Sequence, residues 1–135
     1  SSYRKVQIET APPHRLVAML LHGAVTRCEQ AQEALEKGLH EEARPILLKG
    51  QDIVAELMAS LDFEQGGEIA QRLLLLYDFA HRRLVEANVR QDARAVGEAL
   101  QVLRGLADAW DALQRGAAEG QPSTAPGQMT GTAAG

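Results

Sequence analysis

Between Val17 and Leu35 the apolar residues return every three or four positions: Val17, Leu20, Leu21, Ala24, Cys28, Ala31 and Leu35. At about 3.6 residues per turn, that spacing places all of them on one face of an α-helix. Three more runs repeat the rhythm. The second carries Ile46, Leu47, Ile53, Val54, Leu57 and Leu61; the third Ile69, Leu73, Leu76, Ala80, Leu84 and Ala87; the fourth Ala93, Val96, Leu100, Leu103, Ala107 and Trp110. An apolar stripe on a helix must be buried against another element, so four such stripes demand that helix pack on helix. The residue supply agrees, because Ala (22) and Leu (18) outnumber Val plus Ile (12) by more than three to one. Those are good helix formers, whereas strands draw on β-branched and aromatic side chains.

The breaks between stripes give the organisation. Residues 1–11 hold Val6 and Ile8 alternating with Lys5, Gln7 and Glu9, a short extended segment that Pro12 and Pro13 end. Pro13 suits a first helical position, where its missing N–H is not needed. The first helix is expected over 13–37, with Gly38 as its left-handed cap. A second begins near Glu42 to Pro45 and runs to about Ser60. The stretch 62–67 (DFEQGG) reads as a loop, the third helix as 68–89, Gln91-Asp92 as a turn and the fourth helix as 93–115. The stretch 116–135 contains five Gly, two Pro and one charge, and reads as a disordered tail. Stripes close to a 3.5-residue period, joined by short connections, predict an all-α protein. Its fold is an antiparallel four-helix bundle over 12–115, with an extended N-terminal segment and a flexible C-terminal tail.

Fourteen basic against eighteen acidic residues give a net charge of −4. Non-specific nucleic-acid binding depends on neutralising phosphates, so no nucleic-acid partner is expected. A single cysteine forms no internal disulfide, which suits a reducing compartment. The apolar stretch Leu16 to Leu21 is far short of the ~20 residues that span a bilayer. A cytoplasmic protein without membrane insertion is expected.

The third helix has more apolar residues than one stripe needs. With Leu73 at zero and about 100° per residue, Ile69, Leu76, Tyr77, Ala80, Leu84 and Ala87 fall within a core sector. Leu74 and Val85 lie near 100–120°, beside Asp78 and His81, and Leu75 and Phe79 near 200–240°, beside Arg82 and Glu86. Either neighbouring helices cover this helix on most sides, or part of the surplus lines a groove for an amphipathic partner peptide. Val6 and Ile8 pose the same choice between stapling the first helix and plugging a partner groove. Leu106 and Leu113, off the fourth stripe, are ambiguous in the same way.

Catalysis finds no support. A metal site in a bundle wants Glu-x-x-His motifs paired across helices, and only Asp78-x-x-His81 comes near. Cys28 sits on a core stripe, where cysteine is an inert small hydrophobe. No phosphate loop or nucleophile elbow is present, so no catalytic residue, metal or cofactor is expected. Two alternatives stay open: a phosphotransfer module acting through His81 beside Arg82 and Arg83, and a homodimeric helical scaffold built on the surplus face.

The stretch Gly66 to Asp92, GGEIAQRLLLLYDFAHRRLVEANVRQD, resembles the signature of the FliS family of flagellar export chaperones, in which GGEIA leads into LYDY, a basic pair and L-x-x-AN. Thr10 to Ala24, TAPPHRLVAMLLHGA, is similar to that family's T-x-x-P-x-x-L-x-x-ML-x-x-GA, and the closing Ala109-Trp110 matches as well. The likeness covers roughly residues 3 to 115. It implies a cytoplasmic, non-enzymatic chaperone that binds the disordered C-terminal segment of flagellin, blocks premature polymerisation and hands its client to a component of the export gate. A weak homodimer is also compatible with it. The resemblance carries over Ile8, Tyr77, Asp78, Arg82, Arg83, Leu84, Ala87 and Asn88, of which Leu84 and Ala87 are expected in the core. Together with Val6, Leu74, Leu75, Phe79 and Val85 from the surplus apolar positions, Ile8, Tyr77, Asp78, Arg82 and Asn88 are expected in partner binding, with Asp78, Arg82 and Asn88 able instead to make internal bonds that fix helix ends. Two positions depart from the pattern: Pro12 stands where a Ser or Thr cap is usual, and Leu21-His22 where an aromatic and an acid are usual.

Overall fold

The computed structural model describes residues 13–119 and contains four helices: α1 (Pro13–Glu36), α2 (His40–Ala59), α3 (Phe63–Arg90) and α4 (Ala93–Glu119). Each helix end follows from a local device. Gly38 takes a left-handed φ of 75°. With it, the Leu39 N–H donates to the Ala34 carbonyl at 2.8 Å and the Gly38 N–H to Leu35 at 3.0 Å, a Schellman closure of α1. Asp62 caps α3 by accepting from the N–H groups of Glu64 and Gln65. At the other end of α3, Gln91 is left-handed (φ 54°, ψ 52°) and the Asp92 N–H reaches back to the Ala87 carbonyl at 3.0 Å.

The helices form a closed square. α1 packs on α2 and α4, and α3 packs on the same two, so α1 and α3 are diagonal. Connections of two or three residues make successive helices antiparallel neighbours. The core runs along the centre: Leu20, Leu21, Ala24 and Cys28 from α1, Leu47, Ile53, Val54 and Leu57 from α2, Tyr77, Ala80 and Leu84 from α3, and Val96, Leu100 and Leu103 from α4. Gly50 is buried where α2 passes α1 and α3; a Cβ there would lie 3.5 Å from Leu84 Cδ1 and 3.7 Å from Arg27 Cβ. No polar or charged residue among those described is buried. The four-helix architecture expected from the stripes is the one observed.

Several boundaries differ from expectation. α2 begins at His40, so Pro45 lies inside the helix rather than in its first turn. The stretch DFEQGG is not a plain loop. Residues 63–66 form a helical turn on the Asp62 cap, and the break falls at Gly67 alone, whose φ of 51° and ψ of −124° only glycine adopts comfortably. α4 continues to Glu119, four residues past its expected end. Within α3 the core face is also rotated. Ala70 and Tyr77 are buried, whereas Ile69 is 69% and Leu76 40% exposed. The neighbours meet α3 along its Tyr77–Ala80–Leu84 line, where small alanines allow close approach, and this leaves Ile69 and Leu76 on the rim.

Candidate functional site

The rim residues of α3 are not scattered. Ile69, Leu76 and Arg83 stand seven residues apart, about two turns each, and therefore share one edge of the helix. The Arg83 guanidinium locates that edge: its Nε–H donates to Glu98 of α4 at 2.7 Å. On α4 the edge continues from Glu98 through Val102, Leu106, Ala109 and Leu113, stepping by three and four. Since the two helices are antiparallel, Leu76 is level with Leu106, and Ile69 with Leu113. Leu113 is 65% exposed, while Val102 and Leu106 are half-buried. Phe79, half-buried, adds its ring one turn below Arg83. A shallow apolar groove thus runs along the α3/α4 flank for about 15 Å, from Phe79 to Ile69, at 1.5 Å per residue.

At its Ile69 end the groove opens into a cleft of about 190 Å³. Leu73, Tyr77, Trp110, Val17 and Leu61 line it, and the turn ending at Gly66 forms part of its wall. The break at Gly67 takes that turn off the helical path of α3, and Gly66 lines the wall. Trp110 is fixed by its indole N–H, which donates to the His14 carbonyl at 3.0 Å. That bond also places the start of α1 at the mouth of the cleft. Burial of Tyr77 pushes its phenol above the ordinary tyrosine range, so it stays neutral at physiological pH.

The other flanks differ in chemistry. Between α1 and α4, His22 Nε2 lies 2.9 and 3.1 Å from the two carboxylate oxygens of Asp111, and Arg104 donates to Glu29 at 2.7 Å. Gln32 reaches the Ala93 carbonyl at 3.5 Å on the same flank. Between α2 and α3 the exposed apolar residues are Leu48 and Val85.

The residues singled out from the sequence fall on several sides of α3. Tyr77 is in the core at 2% exposure and shows only at the cleft. Leu74 and Val85 face the α2 side. Leu75 points outward beside the ion pair in which Arg82 Nε donates to Asp78 at 2.9 Å. Asn88 is tied into the α3–α4 turn, where its carbonyl and side-chain oxygens both accept from Gln91 Nε2, at 2.8 and 3.1 Å. Gln91 in turn accepts from His40 Nδ1 at 3.2 Å. Only Phe79 of that set lies on the α4 flank, and Val6 and Ile8 lie outside the described residues. Sequence reasoning missed Ile69 and Leu76 as surface residues and did not single out Val102. For Leu76 the signal was the run Leu73 to Leu76, four consecutive leucines that no single stripe can bury.

Among the described residues no group of three or more His, Cys, Asp or Glu side chains could hold a metal, and no helix is long and apolar enough to cross a membrane. Cys28 is buried, which pushes its thiol up to about 12 and leaves it unreactive in the folded state.

Comparison with known proteins agrees with the sequence motifs. The family described as "Flagellar protein FliS" matches residues 1–117. The flagellar secretion chaperone FliS of Salmonella typhimurium is 40% identical over 114 residues, spanning 81% of this chain and 84% of that protein. The corresponding chaperone of Vibrio cholerae is 34% identical over 116 residues, 83% of this chain and 85% of the relative. A crystal structure described as a flagellar chaperone from bacteria superimposes with a TM-score of 0.70, covering 84% of this chain and 89% of that one at 21% identity, a likeness of fold.

Proposed function

The chain belongs to the FliS family of flagellar secretion chaperones, and from that membership we propose that it binds the disordered C-terminal segment of flagellin in the cytoplasm and holds it for export. The observation that carries this reading is the unpaired apolar edge of α3 and α4. Ile69, Leu76 and Leu113 are each at least 40% exposed on a helix pair that already has a complete core. Exposed apolar surface of this kind is a cost unless a partner covers it. A groove about 15 Å long accepts roughly three turns of an amphipathic helix, with anchors at i, i+3 or i+4, and i+7. The cleft beyond Ile69 takes one further apolar side chain.

A segment that is disordered when free loses conformational entropy on binding, so it needs many apolar contacts spread along its length. Leu75, Val85 and Leu48 extend such contacts outside the groove. The Asp78–Arg82 pair supplies a polar site on the outer face of α3, and Val6 and Ile8 add contacts from the N-terminal segment. In this reading the protein has no enzymatic step. It covers segments through which flagellin would polymerise and passes the client to a component of the export gate.

The direct test is calorimetric titration of the full chain with a flagellin C-terminal peptide at several temperatures. Saturable binding with a negative heat-capacity change is expected, because apolar surface is buried. A chain that shows no saturable heat and no shift of peptide mobility has some other client.

A further inference from the structure

The groove on the α3/α4 flank stops at Arg83. This side chain is only 22% exposed, which is unusual for a guanidinium, and its burial is matched by two short charge-assisted bonds. Its Nε–H donates to Glu98 on α4 and its Nη1–H to Glu86 on its own helix, each at 2.7 Å. Glu86, three residues on, holds the plane of the fork, and Glu98 receives it across the gap between the helices. Among the described residues this is the one side-chain hydrogen bond that joins α3 to α4, whereas four residue pairs tie α1 to α4: His22–Asp111, Arg104–Glu29, Gln32 to the Ala93 carbonyl and Trp110 to the His14 carbonyl. Below it the two helices are held along this flank by apolar contacts alone, which are non-directional.

We infer that Arg83 is a positioning residue of the client groove: through Glu98 it sets the spacing and register of α3 and α4 along the groove, and thereby the affinity for the docked segment. The inference rests on the reading that this groove holds the client. The fork geometry matters, since a lysine ammonium cannot satisfy two carboxylates in a fixed plane. The two carboxylates are 43% and 46% exposed, and an ion pair with one end this open to water adds little to stability, so the tie is expected to show more in binding than in the melting temperature.

The test is calorimetric titration of the full chain and four variants with the flagellin C-terminal peptide. The variants are Arg83→Gln, Glu98→Gln, the double variant, and Leu76→Asp as a control for the groove. Arg83→Gln and Glu98→Gln are each expected to weaken binding about five- to tenfold, with the double variant no weaker than Arg83→Gln alone, because both act through one bond. Glu98→Gln keeps the Arg83–Glu86 bond and so serves if Arg83→Gln folds poorly. Three results would overturn the inference. Loss of affinity in Arg83→Gln with normal affinity in Glu98→Gln means that Arg83 touches the client directly. Normal affinity in both, with Leu76→Asp impaired, means that the groove binds without the tie. Normal affinity in Leu76→Asp means that the client lies elsewhere, and the functional reading of the groove falls together with the inference.

Discussion

Replacing Ile69 with alanine separates what this residue does for the fold from what it does for a partner. Ile69 is 69% exposed, so folding removes only about a third of its side chain from water. Full burial of such a side chain is worth about 1.5–3 kcal/mol, which makes the share gained on folding about 0.5–0.9 kcal/mol. Alanine recovers several tenths of a kcal/mol of that through its better helix propensity. The net change in stability is therefore within about 0.5 kcal/mol. The remaining exposed surface is worth about 1–2 kcal/mol to a partner that covers it, a five- to thirtyfold loss of affinity on substitution. Urea unfolding followed by circular dichroism reads the first quantity and peptide titration the second. A stability loss above about 2 kcal/mol would put Ile69 in the core after all. An unchanged affinity would take this edge of α3 out of the client site.

Gly50→Ala is expected to raise stability by about 0.5–1 kcal/mol, because the new Cβ meets Leu84 and Arg27 at ordinary contact distances and a helix-interior glycine is replaced; a lower urea midpoint would show that α2 and α3 cannot accommodate a methyl group. Gly67→Ala is expected to cost about 1–3 kcal/mol, since its φ of 51° with ψ of −124° is strained for any residue with a Cβ; a neutral result would mean that the kink relaxes freely. For Cys28, burial holds the thiol neutral up to about 12, against an ordinary value of 9.0. Its contribution is therefore fully present below about pH 9 and is lost at about 1.4 kcal/mol per unit above it, as the unfolded chain ionises and the folded one does not. Tyr77 acts with the same sign at higher pH. The urea midpoint of the wild type should fall more steeply with alkaline pH than that of Cys28→Ala, and equal slopes would refute the assignment.

Much of the fold is legible in the spacing of apolar residues, because a stripe on a helix has only one way to leave water. Leu20, Leu21, Cys28, Leu47, Val54, Leu84, Val96 and Leu103 are buried where their stripes put them. Gly38 caps α1 as its position predicts. The reading fails where two choices are equal locally. In α3, Ile69 and Leu73 both lie near the centre of the stripe, and the direction from which α2 and α4 approach decides which is covered. The double glycine marked a break but not its form: Asp62, a capping residue placed before a short run, makes 63–66 a helical turn and confines the break to Gly67. Asn88 looked as much like a contact residue as like a structural one, and the left-handed Gln91 that uses both its oxygens could not be foreseen from Gln-Asp alone.

By itself, the sequence determined that there are four helices, which residues form most of their buried faces, and that the third helix carries more leucine than one face can use. Those are properties of local spacing, and a period of 3.6 expresses them without reference to any neighbour. Only the tertiary structure decided where the surplus points. The α3/α4 groove is made of Ile69, Leu76 and Phe79 from one helix and Val102, Leu106 and Leu113 from another, some thirty residues apart in sequence. Their alignment depends on the antiparallel register that packing, the short α3–α4 turn and the Arg83–Glu98 bond establish. A helix records its own faces, but a groove exists only between two helices.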